Sequence, residues 1–262
     1  VIPPFMFSLK GSTVNSMMST FRYLYHLGGV PGMLWKVYRQ LGVQKAFMQK
    51  ELLPYLDEVA QKQDGTLREA DLKKIKQYYG LAVPALLAEG YAALRSTPLS
   101  EKERKAATYL GATTGLFDDF FEDTQLQDSY ITQLYRQPET YTGQNDNERL
   151  ANHCWRKALE GCTSKDLLTS YAGKVHAAQI ASRQQRTTLP DTGTLQQITF
   201  DKGGYSVLFY MALFYENFPQ EDETLFYNAG ALLQLENDLF DVYKDDRDGI
   251  CTLATHPQSI EK

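Results

Sequence analysis

Between Leu225 and Tyr243 the chain is largely apolar, lacks proline and is long enough for about five turns of helix. Leu232, Leu235, Leu239 and Val242 recur there at helical spacing. The run passes into Asn237-Asp238-Leu239-Phe240-Asp241-Val242-Tyr243-Lys244-Asp245. On a helix, Asn237, Asp241 and Asp245 fall at i, i+4 and i+8 and span roughly 12 Å along the axis. A row of oxygen ligands that long suits more than one hard cation, because magnesium takes carboxylates together with waters. Lys244 adds a point charge suited to phosphate oxygens. Taken alone, such a row fits a solvated helix face equally well.

A second acidic cluster lies far upstream, at Asp118-Asp119-Phe120-Phe121-Glu122-Asp123. Asp118 and Glu122 are i,i+4 neighbours able to grip one ion, and Asp119 and Asp123 form another pair about 100° around the helix. Adjacent carboxylates repel, so solvent or a metal has to relieve them. Upstream, the small residues of Gly111-Ala112-Thr113-Thr114-Gly115 serve close helix approach or space for a ligand.

The remaining chain is also helical in pattern, and no segment alternates with period 2 for long enough to read as a strand. An all-α chain, organised as one domain over 1–262, is the expectation. Breaks are expected at Gly28-Gly29-Val30-Pro31-Gly32, a bend at Pro54, a kink or boundary at Pro84, and a helix end near Arg95 ahead of Pro98. Ser100 should cap the next helix. Gly161-Cys162-Thr163-Ser164 separates two further helices, the second ending near Arg183 and Arg186. Lys202-Gly203-Gly204 is expected to interrupt a helix and to free backbone groups beside a cation, although a plain loop-to-helix junction fits the same residues. Gly249 terminates the acidic helix.

The net charge of −5, with no Lys/Arg run, argues against a nucleic-acid partner. Cys154, Cys162 and Cys251 have no metal-ligand spacing and imply free thiols in a reducing, cytoplasmic setting. No stretch reaches the roughly 20 apolar residues of a membrane span. The early basic and aromatic residues, including Arg22, Lys36 and Arg39, leave peripheral membrane contact open beside ordinary packing. The chain starts at Val1, so further residues are expected at its ends.

The 237–245 stretch resembles the Asn-Asp-x-x-Ser-x-x-Lys-Glu metal motif of class I terpene synthases, with Asp241 in place of Ser and Asp245 in place of Glu. Asp118-Asp119-Phe120-Phe121-Glu122 is similar to that family's Asp-rich first motif. The two stand in the family's order, and the resemblance covers roughly residues 100–250. It implies a helical bundle of the class I isoprenoid synthase type around a central apolar cavity, acting as a lyase on a linear prenyl diphosphate with three magnesium ions. It also implies that Asp118, Asp119, Asn237 and Asp241 are catalytic. Asp118, Asp119, Glu122, Asn237, Asp241 and Asp245 would be metal ligands. Lys202, Lys244 and Arg183 would hold the diphosphate, and Phe117, Phe121, Trp155, Tyr205 and Phe209 would line the cavity, where aromatic faces attract a carbocation. Asp241 moves the second motif toward the Asp-rich form of chain-elongating synthases. The first motif lacks their following Arg-Arg pair. Squalene and phytoene synthases, which join two prenyl diphosphates head to head, share the two-motif plan. A prenyltransferase is therefore the alternative, and a homodimer stays open.

Overall fold

The computed structural model describes residues 12–122 and 128–256, and the side chains of 12–28, 118, 119, 121 and 122 lie outside that description. Among the described residues there are helices and turns but no strand, as the periodicity requires. In chain order the helices are α1 (Ser12–Glu51), α2 (Leu53–Lys62), α3 (Glu69–Lys74), α4 (Glu89–Leu94), α5 (Glu101–Glu122), α6 (Asp128–Arg136) and α7 (Asp146–Gly161). They continue with α8 (Lys165–Ser182), α9 (Gln184–Thr187), α10 (Thr192–Met211), α11 (Gln220–Phe240) and α12 (Val242–Arg247). Ile75–Tyr79 and Pro84–Ala88 are single π-helical turns between α3 and α4.

Most boundaries follow local chemistry. Ser100 and Glu103 exchange the hydrogen bonds of a capping box: the Ser100 hydroxyl accepts from the Glu103 amide at 3.2 Å, and Glu103 Oε2 accepts from the Ser100 amide at 2.8 Å. The side chains of Asn145 and Ser164 cap α7 and α8 by accepting from the Glu148 and Leu167 amides. Pro54 sits in the first turn of α2 and Pro84 opens the second π turn, positions where a missing N–H costs little. Gly249 has φ +68° directly after α12, the left-handed conformation glycine adopts without strain.

Two expected breaks are absent. α1 runs unbroken through Gly28-Gly29-Val30-Pro31-Gly32. Proline removes one hydrogen bond there, which the helical residues on either side outweigh. α10 runs unbroken through Gly203 and Gly204, because those glycines serve packing rather than a turn.

The core is one continuous cluster reaching from Met48 through Leu110, Leu116, Trp155, Leu168 and Leu208 to Phe226. Within it α5 packs on α7, and α10 packs on both α8 and α11. Gly111 and Gly115 lie against Tyr79, so the two glycines of the small stretch of α5 give close approach to the first π turn. No helix among the described residues is long and apolar enough to cross a membrane.

Glu103 also receives the Arg95 guanidinium through bonds of 2.6 and 2.9 Å, which holds its carboxyl down at about 2 from an ordinary 4.5. A depressed acid contributes stability above its unfolded value, and that stability is lost as pH falls through the folded value. Glu103→Gln is therefore expected to cost about 1 kcal/mol at neutral pH. Urea titrations should show the gap to wild type closing as pH drops from about 4.5 towards about 2.

Candidate functional site

The site is set by how closely α10 and α11 cross. A Cβ on Gly203 would lie 2.1 Å from the Gly230 carbonyl oxygen, and one on Gly230 would lie 2.2 Å from that of Gly203. The helices run antiparallel, with Tyr227 beside Gly204, Gly230 beside Gly203, and Asp238 beside Thr199. This contact fixes the rotation of α11 about its own axis. Gly230, Ala231 and Asp238 are buried, whereas Leu232 and Leu239 are each 66% exposed. Leu232 and Leu239 of the row that marks the helix in sequence thus face outward, Leu235 and Val242 are half-buried, and a polar row of Gln234, Asp238, Asp241 and Asp245 turns inward or lies half-buried.

Asp238 is the residue the sequence reading passed over. Its carboxylate accepts from Gln234 Nε2 at 2.8 Å and from the Thr199 hydroxyl at 3.2 Å. Burial pushes its pKa up, and the Asp241 charge adds to that, while Gln234, Lys202 and Thr199 oppose. Asp245 is buried as well and shifted the same way, by burial first and then by Asp238 and Asp241. Lys202 draws both acids back towards ionisation. The spacing 234, 238, 241, 245 was the available signal, since it tracks one face of a helix.

The helix breaks within the motif: α11 ends at Phe240, Asp241 forms the junction with φ −89° and ψ 4°, and α12 follows. Asn237 is on the exposed side. Lys244 Nζ lies 4.0 Å from Asp241 and is mostly exposed. The Arg183 guanidinium is engaged by Asp128 at 3.0 and 3.3 Å. The backbone of Asp118, Asp119, Phe121 and Glu122 forms the last turns of α5, and their side chains lie outside the described residues, as does Asp123.

A narrow apolar cavity of about 30 Å³ lies between α5, α8 and α10, lined by Thr114, Phe117, Val175, Gln179, Ser206 and Phe209 among others. That volume holds about one water, far below the several hundred Å³ of a ligand pocket. Of the expected cavity aromatics, Phe117 and Phe209 line it. Trp155 is instead a fully buried core residue whose indole N–H donates to the Tyr135 carbonyl at 3.1 Å, and it packs on Phe209 from behind. Tyr205 turns away to meet Tyr227 edge-on and the Lys174 ammonium. A larger open depression, about 390 Å³ beside Arg136, Asp166, Thr169 and Ser170, lies along the start of α8, roughly 14–20 Å of helix from Gln179.

Register relates the acidic segments to the cavity. Thr114 meets the Tyr210 hydroxyl at 3.4 Å, and Phe117 and Ser206 line the cavity further along. α5 ascending and α10 descending therefore leave the cavity at one end. Beyond Phe117 on α5 come positions 118, 119 and 122; beyond Ser206 on α10 come Lys202 and Thr199, with Asp238 against them. No group of three His, Cys, Asp or Glu side chains converges to metal-binding distance among the described residues. Comparison with protein-family models, with curated proteins and with solved structures finds no match to this chain.

Proposed function

We propose that this chain is a magnesium-dependent enzyme of the class I terpene synthase type, ionising a linear prenyl diphosphate and guiding the resulting carbocation to a cyclised or quenched product. The supporting observation is the shared register: the α5 turns carrying Asp118, Asp119 and Glu122 and the α10–α11 crossing carrying Lys202, Asp238, Asp241 and Asp245 leave one apolar slot at the same end. The donor set is all oxygen, which suits a hard cation. Burial raises the pKa of Asp238 and Asp245, so a bound cation would favour their ionised forms. Asp118, Asp119 and Glu122 would hold magnesium from α5, and Asp241 and Asp245, with Asp238 behind them, from α11 and α12; Asn237 would have to turn inward to join them. Magnesium, when bound, supplies Lewis-acid stabilisation of charge on a departing diphosphate.

The chain's own groups have separate tasks. Lys202 offers a point charge to phosphate oxygens. Phe117 and Phe209 present apolar walls that exclude water and faces that attract a cation. At about 30 Å³ the slot has to widen by side-chain movement before a prenyl chain enters. One observation favours a second reading, condensation of two prenyl units. The inward row is carboxylate at 238, 241 and 245, with the amide of Asn237 turned to the exposed side.

Geranyl, farnesyl and geranylgeranyl diphosphates, each with magnesium or EDTA and with or without isopentenyl diphosphate, separate these readings. Magnesium-dependent diphosphate release and a terpene product from one substrate support the lyase. Turnover only with isopentenyl diphosphate or a second prenyl chain moves the assignment to a transferase. Magnesium with pyrophosphate at about 100 times its dissociation constant should add about 2.7 kcal/mol, raising Tm by roughly 5–10 °C. Neither turnover nor a shift with the folded protein would refute both readings and leave the acidic helices as solvated faces.

A further inference from the structure

We infer that the N-terminal part of α1 is a membrane-surface anchor that lays its apolar face on an anionic lipid bilayer. Gln44 and Met48 are the first buried residues described along the helix, where it joins the body. From 29 to 43, about 22 Å of helix, no residue is buried; Val30, Val37, Gln40 and Leu41 are half-covered and the others are exposed. Met33 and Leu34 are each 58% exposed, Trp35 65% and Tyr38 69%. At 100° per residue, Met33, Val37, Leu41, Leu34 and Tyr38 follow one another around about half of the circumference, with Trp35 at its edge. Trp35 and Tyr38 stack at 5.9 Å, a pair of amphipathic rings suited to the headgroup level. Lys36 and Arg39 occupy the remaining arc.

Charge selects the occupant. The first 50 residues hold six of the chain's 27 basic residues and none of its 32 acidic ones. A chain of net charge −5 therefore presents a segment that is purely cationic, on the same helix as its uncovered aromatics. Apolar contact and attraction to anionic headgroups act together on such a helix. Arm-to-arm pairing with a second copy would instead bring like charges together. The inference is independent of the reaction assigned to the bundle.

The test uses the full chain with vesicles of phosphatidylcholine alone or mixed with phosphatidylserine. Co-sedimentation should occur with the anionic vesicles and weaken as salt is raised. Trp35 emission should shift to the blue on binding, against a constant background from buried Trp155. Lys36→Glu/Arg39→Glu should weaken binding on the order of tenfold or more, and Leu34→Ser/Trp35→Ser should abolish sedimentation. These side chains are exposed, so unchanged circular dichroism is expected for both variants. Failure of the intact chain to sediment at low salt would overturn the inference, as would equal binding by the charge-reversed variant. A concentration-dependent dimer that Leu34→Ser/Trp35→Ser dissolves, without any vesicle binding, would assign the face to a second copy instead.

Discussion

Gly230→Ala is expected to lower Tm by roughly 6–12 °C, the equivalent of about 3 kcal/mol in a chain of this size. A methyl group at 230 would meet the Gly203 carbonyl oxygen at 2.2 Å and its carbonyl carbon at 2.7 Å. Both are backbone atoms in the middle of a helix, so neither can rotate aside. The helices must separate, and the packing around Phe226 and Val207 opens with them. Alanine's better helix propensity returns no more than about 1 kcal/mol. Gly203→Ala should behave alike, since its Cβ would meet the Gly230 carbonyl oxygen at 2.1 Å. Gly90→Ala is the contrasting case, because Gly90 is helical with nothing within 4 Å of a new Cβ. That change should stabilise by about 0.5–1 kcal/mol. Thermal melts of the three variants check the account; a Gly230→Ala protein as stable as wild type would mean the crossing is looser than described.

Asp238→Asn should separate stability from function in opposite directions. The folded pKa of Asp238 lies above its ordinary 3.8, chiefly through burial. For an acid raised in this way the folded state binds the proton better, so stability falls as pH rises from the ordinary value to the raised one. Above both values the ionised carboxylate carries its full penalty, and below them none. Asparagine removes that penalty at neutral pH. It also keeps the local bonding, because the Thr199 hydroxyl can rotate and the Gln234 amide can turn to match the new donor. Without divalent cation the variant is expected to melt higher than wild type. If Asp238 supports bound magnesium, the same change should cut magnesium-dependent turnover by about 10–100-fold and shrink the pyrophosphate-linked Tm shift. A variant that melts lower and turns over normally would reduce Asp238 to a structural acceptor for Thr199 and Gln234.

Helix content and most helix ends were legible in the residues. The reach of a cap is local, which is why Ser100 and the stop at Arg95 could be placed from a few neighbours. The two breaks expected at 28–32 and at Gly203-Gly204 were misplaced for the opposite reason. Whether Gly203-Gly204 interrupts a helix depends on what stands beside it, and the Gly230 backbone stands there. Phe117 and Phe209 line a small cavity, whereas Trp155, the largest side chain buried to this degree, is enclosed in the core.

The acidic segment at 237–245 is determined by the sequence itself, as is the second acidic segment on another helix, but the break at Asp241 within the first is not. Which side of that segment faces inward was decided only by tertiary structure. Hydrophobic spacing alone turns Leu232 and Leu239 inward and leaves Asp238 out of the reckoning. The opposite orientation holds because two glycines allow α10 and α11 to touch backbone to backbone. That contact lies on the Gly230–Gln234–Asp238 face, and a helix has only one rotation that presents it.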